Sequence, residues 1–156
     1  MKIEIGQKAP LFILTDTEKK AVNLADQQGK NVVLLFFPLA FTSVCTAELC
    51  ATRDDIATYN NANAQVYGIS VDSLFTLGKF KEDQRLNFPL LSDFNKEVSA
   101  AYGSLYSEFA FGMKGVSKRS AFVIDKNGIV QYAEVLENAG EQPNFNAIKE
   151  VLSRLN

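Results

Sequence analysis

Six consecutive apolar residues, Val32-Val33-Leu34-Leu35-Phe36-Phe37, constrain this chain more than any other feature. Successive side chains of a strand point to opposite faces. A strand that is apolar at every position must be covered on both sides, as in a parallel sheet flanked by helices. Pro38 ends the run, because it has no N–H to give to a ladder. The period then changes. Cys45, Leu49, Thr52, Ile56 and Tyr59 recur at steps of four and three, which predicts one helix from about Ser43 to Tyr59. Thr42 or Ser43 can supply its N-cap oxygen. A buried strand therefore runs into a helix, and Cys45 sits at the junction.

The rest of the chain fits around that unit. Residues 10–15 read as a strand and Gln65 to Val71 as another. Asp72-Ser73 can cap a helix through Gln84. Phe88 to Leu91 is a short extended segment, and Asn95 to Tyr102 a short helix that Gly103 can end. Residues 103–117 carry three glycines and several aromatics and read as a long loop, a type of segment that is often functional. Ser120 to Ile124 and Ile129 to Val135 are strands, joined by the hairpin signal Asp125-Lys126-Asn127-Gly128. Pro143-Asn144 opens a last helix with Phe145, Ile148, Val151, Leu152 and Leu155 on one face. Strand-helix units feeding a parallel sheet, then a late hairpin, predict an α/β protein with a thioredoxin-like fold. That means a mixed central sheet flanked by helices, in one domain over residues 1–156.

Composition excludes several functions. The chain has no histidine and two cysteines. Histidine-based triads and histidine-ligated zinc are therefore ruled out. Cys45 and Cys50 also lack the C-x-x-C spacing of thiol metal sites. A net charge of -2 argues against a broad nucleic-acid surface. The apolar run is too short to span a bilayer, and the N-terminus has no continuous apolar core of a signal peptide. The expected location is the cytoplasm, where thiols are held reduced.

The chemistry centres on Pro38-x-x-x-Thr42-x-x-Cys45. Backbone N–H groups at a helix N-terminus favour anions, and the reactive form of cysteine is an anion. Three residues ahead of Cys45, the Thr42 hydroxyl can reach the sulfur or a ligand oxygen. Pro38 would shield the site from water. The bland alternative is equally open: Pro38 stops a strand, Thr42 caps a helix and Cys45 fills the core.

The segment Phe36-Phe37-Pro38-Leu39-Ala40-Phe41-Thr42-Ser43-Val44-Cys45 resembles the active-site segment of the peroxiredoxins, thiol-dependent peroxidases with a thioredoxin-like fold. Their signature adds an arginine from a distant strand, and Arg119 in Lys118-Arg119-Ser120-Ala121-Phe122-Val123-Ile124-Asp125 matches it. Phe88-Pro89-Leu90-Leu91-Ser92-Asp93 and Ala101-Tyr102-Gly103 match as well. The wording is most similar to the alkyl hydroperoxide reductase E branch, whose members commonly work with one cysteine. The Cys45-x4-Cys50 spacing is similar instead to the bacterioferritin-comigratory, or Q-type, branch, in which the second cysteine resolves the first.

The resemblance implies a thiolate at Cys45 that attacks hydrogen peroxide or an organic hydroperoxide, with no metal, haem or flavin. Pro38, Thr42 and Arg119 would shape and charge the pocket. Glu48, one turn after Cys45, matches a carboxylate that orients the arginine; its plain reading is a first-turn glutamate favoured by the helix dipole. Five helical residues advance about 7.5 Å and turn about 140°, so a Cys45–Cys50 disulfide requires the helix to unwind there. The expected reductant is a thioredoxin-like or low-molecular-weight thiol, and the expected assembly a monomer or homodimer. Phe41, Tyr106, Phe109, Phe111 and Met113 could form a collar for alkyl peroxides, a dimer face or ordinary core. The alternatives are a one-cysteine enzyme with Cys50 a bystander, and a thioredoxin-fold sensor or relay without turnover.

Overall fold

The computed structural model describes residues 2–155. Its elements follow the chain as β1 (Ile13–Asp16), β2 (Ala21–Asn23), β3 (Asn31–Phe36), α1 (Ser43–Asp54), α2 (Ile56–Asn61), β4 (Ala64–Ser70), α3 (Leu74–Gln84), β5 (Leu90–Ser92), α4 (Glu97–Ala101), β6 (Ser120–Ile124), β7 (Val130–Val135) and α5 (Phe145–Leu155). The strands form one mixed sheet in the order β2-β1-β5-β4-β3-β6-β7. β3, β4 and β5 run parallel, while β6 and β1 flank them antiparallel.

The apolar run does what its sequence demands. β3 lies between β4 and β6, and all six of its residues are buried. Val33, Leu35 and Phe37 face one core with Cys45, Leu49, Leu77, Phe80, Ile148 and Leu152. Val32, Leu34 and Phe36 face a second core with Phe12, Val98, Tyr102 and Phe122. One strand therefore feeds both faces of the sheet. Each fully buried Val, Leu or Phe is worth about 1.5–3 kcal/mol.

The structure corrects several sequence expectations. The helix expected over Ser43 to Tyr59 is broken at Asp55 into α1 and α2. The Asp55 carboxylate accepts from the Thr58 hydroxyl at 2.7 Å and from Lys149 at 2.7 Å, partners that compete with a continuous helix. The first strand begins at Ile13, not at Pro10, and the short strand β2 was not expected at all. The long loop is partly folded: Leu105 bridges Ser117, and a single 3-10 turn spans Ala110–Gly112. The hairpin and the last helix lie as expected, with Gly128 at φ +82 and the Asn144 side-chain Oδ1 accepting from Ala147 N–H. Among the described residues, no helix is long and apolar enough to cross a membrane.

Candidate active site

The start of α1 lies at the C-terminal end of β3, in the crevice where open α/β sheets bind ligands. Its N-cap by backbone conformation is Thr42, yet no side chain caps the helix. This corrects two expectations. The Thr42 hydroxyl donates to the Leu39 carbonyl at 2.8 Å, closing the loop on itself rather than capping the helix or bonding the sulfur. Pro38, Thr42, Ser43, Val44 and Cys45 nevertheless line one depression of about 230 Å³, closed by Phe109, Arg119, Ala139 and Gly140.

Cys45 is 1% exposed and reduced. Arg119 reaches it from the start of β6. Its Nη2–H donates to Cys45 Sγ at 3.3 Å across 74 residues of sequence. Nη1–H donates to Glu48 Oε1 at 2.6 Å. Both Nε–H and Nη2–H donate to the Ala139 carbonyl, at 3.2 and 2.9 Å. The guanidinium is closed to solvent and aimed by a carboxylate on one side and a main-chain oxygen on the other. Burial works against its charge, but Glu48 and Cys45 outweigh that and raise its pKa.

Glu48 is fully buried, and its Oε2 has no hydrogen-bond partner among the described residues. Burial pushes its carboxyl up from 4.5 to about 7, against the opposing pull of Arg119, and Glu134 adds to the rise. Desolvation thus outweighs pairing here, as is common for buried ion pairs.

Cys50 sits apart. It is half-buried, and its S–H donates to Gln84 Oε1 at 3.5 Å, on the side that meets the end of α3. Helix α1 is unbroken between the two thiols. The structure therefore brings Pro38, Thr42, Cys45, Glu48 and Arg119 together and leaves Cys50 outside.

Sequence reasoning missed the Ala139 carbonyl, because a main-chain acceptor carries no residue signature. Of the aromatics, Phe109 walls the depression, stacked 5.2 Å from Tyr106. Phe41 packs on Phe80 at 5.1 Å, and Phe111 is 99% exposed.

Comparison with known proteins fits this geometry. Residues 5–133 match the AhpC/TSA family. The chain belongs to that family, the peroxiredoxins. It is 39% identical to alkyl hydroperoxide reductase E of Mycobacterium bovis over 136 residues, covering 85% of this chain and 86% of that one. A Coxiella burnetii protein provisionally named a peroxiredoxin is 40% identical over 132 residues, covering 83% and 87%. The crystal structure of peroxidoxin BcpB from Mycobacterium tuberculosis matches with a TM-score of 0.86 over 99% of both chains, at 29% identity. The fold is thus thioredoxin-like, as the element order implied. The chain is a thiol peroxidase of the peroxiredoxin type, acting on a peroxide and recharged by a thiol. That sets aside the reading of a module without turnover.

Proposed function

We propose that Cys45 is the peroxidatic thiol and that this peroxiredoxin reduces hydrogen peroxide and organic hydroperoxides in the cytoplasm. The observation that carries the reading is the buried Arg119 guanidinium, 3.3 Å from Cys45 Sγ. A cation beside a sulfur favours the thiolate over the thiol. The thiolate attacks one peroxide oxygen, an S–O bond forms and the O–O bond breaks. Sulfur is oxidised to sulfenic acid, and the other oxygen leaves as water or alcohol after taking a proton. Negative charge builds on that departing oxygen, so donors fixed around it lower the barrier. Arg119, the Cys45 N–H and the Thr42 hydroxyl, once turned from Leu39, are those donors. Pro38 keeps water from the sulfur.

Cys50 then attacks the sulfenic sulfur, forming a disulfide and releasing water. A thioredoxin-like dithiol reduces the disulfide. This second step needs the start of α1 to unwind, through the local opening that proteins undergo far below global unfolding. The intact helix and the Gln84 contact of Cys50 favour a second reading, in which Cys50 is a bystander and an external thiol reduces Cys45 directly.

Intact mass after one equivalent of peroxide separates the two. The expected result is a loss of about two mass units and no free thiol. A stable gain of about sixteen or thirty-two would establish a one-cysteine enzyme. No change within seconds would overturn the assignment of Cys45.

A further inference from the structure

The Asp72-Ser73 pair, legible in sequence only as a helix cap, divides its work. Ser73 Oγ accepts from Thr76 N–H and caps α3. Asp72 turns the other way. Its Oδ2 accepts from the Ala40 N–H at 2.8 Å and from the Ser70 hydroxyl at 2.6 Å. Its carbonyl accepts from the Ser92 hydroxyl at 2.6 Å, and its N–H donates to Ser70 Oγ at 3.2 Å. The carboxylate is therefore held by the end of β4 and the main chain of Asp72 by the end of β5, two strands of the sheet.

What it grips is the loop between β3 and α1. The next residue, Phe41, stands at φ +67, a left-handed conformation that bulky side chains rarely adopt. Such a conformation persists only when the surroundings over-determine it. The constraints around it are the Asp72 bond to Ala40, the Thr42 bond to Leu39 and the packing of Phe41 on Phe80. Release Ala40, and Phe41 can relax towards φ below zero. Thr42 and the first N–H groups of α1 would then turn with it. Arg119 has anchors of its own, at Glu48 and Ala139, and none of these hydrogen bonds involves the loop.

We propose that Asp72 is a positioning residue for peroxide reduction: by holding Ala40 it keeps the Pro38–Thr42 loop in the shape that sets the first N–H groups of α1, that of Cys45 among them, toward the peroxide. Its action is separate from that of Arg119, which bonds the sulfur itself. The proposal rests on the assignment of Cys45 as the peroxidatic thiol, so wild type and Cys45→Ser are measured beside the variants. If wild type fails to react with peroxide, the assignment itself has failed.

The experiment compares two reactions of the same sulfur at neutral pH in single turnover. One is oxidation by hydrogen peroxide and the other is alkylation by iodoacetamide, which needs the thiolate but no donors for a leaving oxygen. Asp72→Ala is expected to slow the peroxide reaction about ten- to hundredfold and to leave alkylation unchanged. Asp72→Asn retains an acceptor oxygen for Ala40 and is expected to recover most of the rate. Ser70→Ala frees the carboxylate on one side and is expected to give the same split more weakly; it decides the matter if Asp72→Ala does not fold. Peroxide rates equal to wild type in the folded variants would overturn the proposal. So would an equal fall in both reactions, which is what a general loss of structure produces.

Discussion

The two cysteines of α1 are five residues apart and live in different worlds. Cys45 is closed to solvent and bonded by an arginine that is itself 1% exposed. Cys50 is half-buried and bonded to a neutral amide. An arginine stands near Cys50 too, but Arg53 is committed elsewhere. Its Nε–H donates to Asp54 at 2.9 Å and its Nη1–H to the Gln84 carbonyl at 2.6 Å. A partly exposed, already paired cation is screened and does little for its neighbours. A buried cation aimed at sulfur acts through a low dielectric and is strong. The lesson is that sequence proximity to an arginine does not bring a cation to a thiol; burial and direction do.

The most severe way to break the comparison is to exchange the thiols. Cys45→Ser should abolish reduction of peroxide, and Cys50→Ser should leave the first turnover unchanged while its product becomes sulfenic acid. Stopped-flow peroxide consumption with mass analysis of the quenched protein reads both. A first-turnover loss in Cys50→Ser would mean that the two sites are not separate.

A smaller effect tests the two arginines. Arg119→Met should slow peroxide reduction about a hundredfold, the usual cost of losing one donor to a developing oxyanion. Arg53→Met should leave that step unchanged. Because removing Arg119 strands the buried Glu48, the double variant Arg119→Met, Glu48→Gln is measured with it. Equal rates for the two methionine variants would remove direction and burial from the explanation.

Local pattern and distant contact also divide what could be read in the sequence. The two-faced strand was legible because every position of Val32–Phe37 is apolar, which only a doubly covered strand tolerates. Cys45 was legible from its strand-to-helix position; the spacing of one turn placed Glu48 on its side of the helix, and the family resemblance pointed to its pairing with an arginine. Arg119 was not legible from local pattern. It meets Cys45 across 74 residues, and only the family resemblance pointed to it. The break at Asp55 was hidden because Thr52 and Tyr59, on either side, stay on the buried face. β2 was hidden because three residues on a half-exposed sheet edge carry almost no pattern. The capping signal of Asp72-Ser73 is met by Ser73, while the bond from Asp72 to Ala40 spans 32 residues and leaves no local signal.

The smallest effect lies in stability, where the carboxylates of Glu48 and Asp55 shift in opposite directions. Burial raises Glu48 from 4.5 to about 7. Between those values the folded protein holds a proton that the unfolded chain has released, so unfolding loses a proton and stability falls as pH rises through the window. The contribution of Glu48 is thus most favourable below about 4.5 and is lost by about 7. Asp55 is the reverse. Bonds from Lys149 and Thr58 lower its pKa below 3.8, so its contribution is present above that value and is lost only in stronger acid. Urea unfolding at a series of pH values checks the pair. Glu48→Gln should remove on the order of a few kcal/mol of downward slope between about pH 4.5 and 7, and Asp55→Asn should leave that slope in place. If Glu48→Gln kept the full slope, the carboxylate beside Cys45 would be held ionised by Arg119 through the whole range. The buried pair would then be a fixed ion pair, and the cation available to the sulfur would be weaker at every pH.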